Sequence, residues 1–174
     1  MKNLKNNKKG FTLIELLAVI VILAILVAVA VPAVMRYLSQ ARRGTFASNA
    51  NEAISSVRTD TTMTGLIGTV YYDLDNVNNL LQKKLSNSPY GPAFTATSYV
   101  KVEIATDGTA TYSICLADAS KNGIPLKEEK DVTESNVNLG NVECTLPTDA
   151  RKACTFSDGT TTKYLAEGLT DCGK

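Results

Sequence analysis

The chain has 174 residues, of which 44% are hydrophobic and 20% charged, and its formal net charge is +1. That length suits one domain with a modest core, and the near-neutral balance argues against a specific nucleic-acid binder, which would show a basic stripe on its folded part. Histidine is absent altogether, which excludes His-dependent triads, His general bases and His-containing metal sites.

The averages hide an asymmetry along the chain. Residues 1–10 carry Lys2, Lys5, Lys8 and Lys9 and no acid, whereas residues 11–35 carry a single charge, Glu15. Without its first ten residues the chain would have a net charge of 1 − 4 = −3. Lysines beside a hydrophobic segment stay cytoplasmic, so the segment should enter a membrane N-terminus inside, leaving the rest of the chain outside.

Leu16 to Met35 is uncharged throughout. Twenty helical residues at about 1.5 Å each span about 30 Å, the hydrocarbon thickness of a bilayer. In lipid the backbone must satisfy its own hydrogen bonds, so a helix is expected despite the many β-branched residues. Pro32 should kink or loosen it, because a hydrogen bond to the preceding turn is lost. Beyond Arg36, apolar residues recur at Ala47, Ala50, Ile54 and Val57, the period of an amphipathic helix, with Arg42, Arg43, Asn49 and Glu52 free to face solvent. The pattern predicts one helix from about Phe11 to about Asp60, roughly 75 Å long, with weak points at Pro32 and Gly44. Its first part, 11–35, is apolar all round; its continuation, 36–60, is apolar on one side.

Three fates of this N-terminus compete. One is a plain signal anchor; a second is a secretory signal cut after Ala28-Val29-Ala30. Neither explains Glu15, a carboxylate near the start of an apolar segment, where a charge is costly and needs a function. The third fate rests on a resemblance. The run KKGFTLIELLAVIVILAILVAVAVPA is similar to the N-terminal signature of type IV pilins and the related pseudopilins, over about residues 8–35. Leader charge, cut site, aromatic, buried acid, apolar run and proline all fall in that order. The resemblance implies that a prepilin peptidase removes leader 1–10 after Gly10 and that Phe11 is then N-methylated. It also matches Glu15 to the family's glutamate and Pro32 to its mid-helix proline.

Cleavage would create a positive amino group at Phe11, one helical turn below Glu15. Glu15 is then expected to attract the Phe11 amine of a subunit already at the filament base. Such attraction is strong in a low-dielectric setting and sets the register of helices that could otherwise slide.

Residues 61–98 read as a connection, with Gly65, Gly68 and Ser88-Pro89-Tyr90-Gly91-Pro92, and with a short helix inside Asp75–Leu85. In pilins such a region shapes the filament surface. Ser98–Ala105 and Ala110–Ala117 alternate apolar and polar residues on either side of Thr106-Asp107-Gly108-Thr109, which predicts a hairpin. Its apolar face, Val100, Val102, Ile104, Tyr112, Ile114 and Leu116, can lie on the helix stripe. Ala119–Glu134 reads as a charged loop, either solvated or a contact surface. A third strand is expected within Asn136–Thr145 or Lys152–Phe156. A turn at Ser157–Thr160 should lead to an edge strand at Thr161–Leu165. The whole is α+β, a long helix on an antiparallel sheet spread over 99–174, and it resembles the pilin fold.

Cys115, Cys144, Cys154 and Cys172 all fall in the part expected outside, which suggests disulfides with three pairings open. None has C-x-x-C zinc spacing, and buried free thiols are the alternative. Pilins commonly close their C-terminal region with a disulfide; by that resemblance Cys154 pairs with Cys172, leaving Cys115 with Cys144.

No nucleophile with a base, phosphate loop or metal cluster is evident, so no catalytic residue, cofactor or metal is assigned. Asp149, Asp158, Glu167 and Asp171 are too scattered for the calcium site of major pseudopilins. The resemblance therefore implies a structural subunit, a major pilin of the type IVa style. It would be a single-pass membrane protein first and then part of a surface filament for adhesion, twitching motility or aggregation. Its partners would be other copies of itself, the peptidase, an assembly platform and an ATPase. The alternative is a pseudopilin of a type II secretion or competence apparatus.

Overall fold

The computed structural model describes residues 11–62, 67–81, 85, 87–148, 150–155 and 162–164, with backbone only for 154, 155 and 162–164. The chain divides into two compact units, residues 1–39 and 40–174. Helix α1, Leu13–Thr62, contributes to both and is helical through Pro32 and Gly44 without a break. In the first unit, residues 11–39 are exposed throughout.

In the second unit α1 buries Phe46, Ala47, Ala50, Ala53, Ile54, Val57 and Thr61. The stripe predicted from Ala47, Ala50, Ile54 and Val57 is therefore the packed face, widened by Phe46 and Ala53. Its partner is a four-stranded antiparallel sheet in sequential order: β1, Gly68–Asp73; β2, Tyr99–Ile104; β3, Ala110–Ala117; and β4, Gly123–Glu128. Val102 lies opposite both Val70 and Tyr112, so residues of like character line one face. Val70, Tyr72, Val100, Val102, Ile114, Leu116 and Ile124 join the helix stripe in a single core. Each such large side chain contributes about 1.5–3 kcal/mol on burial.

The predicted hairpin is β2–β3. Its turn is closed by Asp107 Oδ1, which accepts from the Thr109 amide at 2.8 Å, and Gly108 takes the left-handed φ of +85° that the turn needs.

Three expectations need correction. The 61–98 connection contains β1, and its short helix is α2, Leu74–Leu80, capped by Asp73 Oδ1 accepting from the Asn76 amide at 2.9 Å. The third strand of the hairpin's sheet is β4, inside the segment 119–134 read as a loop. Pro125 lacks an amide proton but is tolerated because β4 is an edge strand. Two short 3₁₀ turns, Glu129–Asp131 and Glu134–Asn136, follow it.

Asn136–Thr145, one of the two ranges offered for a third strand, forms only an isolated bridge between Asn138 and Gly123. It supplies Val142 and Cys144 to a second apolar cluster with Tyr99, Cys115 and Ala117. These sheet residues alternate with those of the main core and so lie on the opposite face. The Cys115–Cys144 disulfide ties that segment to β3.

A separate two-stranded ladder joins β5, Ala153–Thr155, to β6, Thr162–Tyr164, within the two ranges read as strands. The Ser157–Thr160 turn and Cys172 lie outside the described residues, as does the side chain of Cys154.

Candidate membrane-anchor and assembly segment

The start of α1 is built by two residues acting on each other. Thr12 donates to Glu15 Oε2 twice, from its amide at 2.8 Å and from its hydroxyl at 2.7 Å. In return the Glu15 amide donates to Thr12 Oγ1 at 3.3 Å. This is a capping box: Thr12 is the N-cap, Glu15 occupies the third helical position, and each satisfies a backbone amide the helix leaves open. The T-x-x-E spacing carried that signal, and Thr12 is the residue the sequence reading overlooked. Both bonds from Thr12 fall on Oε2, which leaves Oε1 without a hydrogen bond among the described residues.

Phe11, immediately before the cap, is 91% exposed. Above Glu15 the large apolar side chains through Met35 are all at least half exposed, and the helix is long and apolar enough to cross a membrane. The next charge after Glu15 is Arg36, followed by Tyr37 at 75% exposure. A basic residue beside an aromatic one at the end of an apolar run suits the headgroup level of a bilayer. Gly10 and the leader lie outside the described residues.

On the head, the charged segment after β4 binds its own helix. Gln40 Nε2 donates to Glu134 Oε1 at 3.2 Å, and Arg43 Nη1 donates to the Val137 carbonyl at 2.6 Å. The strap passes close over Gly44, where a Cβ would make an ordinary contact with Glu134 Oε2 at 3.7 Å. Farther along, Arg58 pairs with Glu129 and lies over the Tyr112 ring, 4.8 Å from its centroid. The segment left open between a solvated loop and a contact surface is thus partly engaged within the subunit. Arg43, assigned to solvent, is one of its anchors. On the other side of the head, Lys121 pairs with Glu143 and holds that carboxyl below its ordinary range.

Among the described residues no group of three potential ligands could hold a metal ion. Asp149, Asp158, Glu167 and Asp171 lie outside them.

Comparison with known families matches residues 5–31 to the prokaryotic N-terminal methylation motif. This motif is the class III signal peptide of type IV pilins. Neither the curated proteins nor the solved structures gave a match. The motif, the apolar helix it overlaps and the helix-on-sheet head support a structural subunit of the type IV pilin or pseudopilin kind. Such a motif implies processing by a prepilin peptidase.

Proposed function

We propose that this chain is the major pilin of a type IV pilus, cut after Gly10, N-methylated at Phe11, and polymerised through α1 into a surface filament. The observation that carries the reading is the division of α1: its first half is apolar and uncovered, and its second half is buried in a head. Burying a large aliphatic side chain is worth about 1.5–3 kcal/mol. Moving the 16–35 segment from lipid into water is therefore prohibitive, whereas moving it into a bundle of identical helices keeps the same surface covered. A head-to-tail contact that does not close on itself turns such a bundle into a filament.

Glu15 supplies the register. Oε2 is held by Thr12, and Oε1 is offered to the Phe11 amine of the neighbouring subunit. The head stays outside the cell, where its disulfide is at home. The filament serves adhesion, motility or aggregation, and no catalytic role is proposed. A platform protein and an ATPase would drive assembly.

Mass spectrometry of the N-terminus of protein sheared from the cell surface tests this. N-methylated Phe11 in sheared filaments supports the reading. Val31 would mean secretory cleavage and a free head, and Met1 a plain anchor. Phe11 in a chain that never leaves the membrane in filaments would favour the pseudopilin alternative.

A further inference from the structure

We infer that Arg36 of one subunit is a second partner for Glu15, contributed by a copy displaced along the filament axis by nearly the length of the apolar segment. The inference deepens the polymer reading above and rests on it.

Between Phe11 and Ala41 the only charged side chains are Glu15 and Arg36, one at each end of the apolar run. Both are exposed and both lie in the same unit of the molecule. No carboxylate of the chain's described residues forms an ion pair with Arg36. Twenty-one residues separate the two. On a helix this is about 32 Å of rise, and the two side chains fall within about 60° of each other around the axis. Both therefore belong to one side of the helix.

Side by side in a bilayer, parallel copies sit at equal depth. Glu15 of one copy is then about 32 Å from Arg36 of the next, and no pair forms. In a staggered bundle whose copies turn this side toward the common axis, a copy advanced by that distance brings its Glu15 level with the Arg36 of the copy behind it, on a face that can meet it. The apolar side chains do not distinguish lipid from bundle, because they are covered in both. A charge pair that exists only in the stagger does distinguish them, and it opposes sliding to other offsets. The two proposed contacts of Glu15 serve different neighbours. The Phe11 amine lies about 6 Å along the axis and Arg36 about 32 Å, so both are met at once only if successive copies stack at suitable offsets.

Cross-linking in assembled filaments tests the pairing. Ile14 and Met35 share the same 21-residue offset, are 72% and 63% exposed, and leave both charges in place. Cells displaying the full-length Ile14→Cys/Met35→Cys chain should yield, with a short bismaleimide, ladders of linked subunits that neither single variant gives. In parallel, Arg36→Gln should lower surface filament yield about tenfold, as expected for removing one partner of a desolvated pair. Arg36→Lys should restore most of the yield.

Filaments that form normally from Arg36→Gln, or double-cysteine filaments that give no ladder, would overturn the pairing while leaving the polymer intact. Failure of the unsubstituted chain to form filaments would remove the polymer reading and the pairing with it.

Discussion

Thr12 and Glu15 bond to each other in both directions at the first turn of α1, so the carboxylate proposed as the assembly charge is also part of the helix cap. The two roles separate by substitution. Glutamine can replace glutamate in a capping box but carries no charge. Glu15→Gln should therefore start the helix normally, insert in the membrane normally, and still fail to build filaments, as Glu15→Ala should. Electron microscopy of surface filaments is the readout. Wild-type filament numbers from Glu15→Gln would make capping the whole role of this residue. Thr12→Ala, which removes the N-cap at about 1 kcal/mol, should reduce filament yield less than either Glu15 variant.

Gly123 opens β4 directly against β3. A Cβ there would lie 2.1 Å from the Leu116 carbonyl oxygen and 2.8 Å from the Ala117 Cα, both backbone atoms that cannot swing aside. Gly123→Ala should cost about 1–3 kcal/mol, the range for overpacking a close-fitted site. It should also loosen the Asn138 bridge that Gly123 makes on its other edge. Urea unfolding of the detergent-solubilised chain measures the loss; an unchanged midpoint would contradict the packing.

The Cys115–Cys144 disulfide closes a loop of 29 residues in sequence separation. Removing it as Cys115→Ala/Cys144→Ala should cost about 3–4 kcal/mol by the loop-entropy relation. The loss should be local as well as global. Amides near Val142 and Tyr99 should exchange faster, because the outer cluster holds few other apolar residues. Exchange that rises instead in the helix-facing core would contradict the two-cluster arrangement.

The β2–β3 turn should be acid-sensitive. The Thr109 amide bonded to Asp107 holds that carboxyl below its ordinary value. A group with a depressed folded pKa stabilises the fold above its unfolded pKa, and the contribution fades as pH falls through the folded value. Between about pH 5 and about pH 2 the wild-type head should therefore lose stability faster than Asp107→Asn, which keeps the acceptor oxygen without the titration. Parallel stability–pH curves for the two chains would show that Asp107 contributes nothing.

The elements legible in the sequence were those whose pattern is local and repeated. The stripe of α1 and the Asp107-Gly108 hairpin rest on periods that tertiary packing had no reason to override. β1 was lost because its run, Thr69-Val70-Tyr71-Tyr72, is short and sits among glycines and asparagines that suggest a connection. β4 was lost because Pro125 and the charges at Lys127 and Glu128 mark an edge strand, and an edge strand looks like a loop when its neighbours are unknown. The segment around Val142 is held by a disulfide and a cross-sheet apolar contact, both set by residues far away in sequence. At the assembly segment Glu15 stood out as a lone charge in an apolar run, while Thr12 looked unremarkable without the bond it makes.

A filament map by electron cryomicroscopy tests the central claim most directly. The account predicts residues 16–35 of every subunit bundled on the axis, with the heads outside. A filament with that segment on its surface, or purified processed chains that assemble no filament under the pilus machinery, would contradict it.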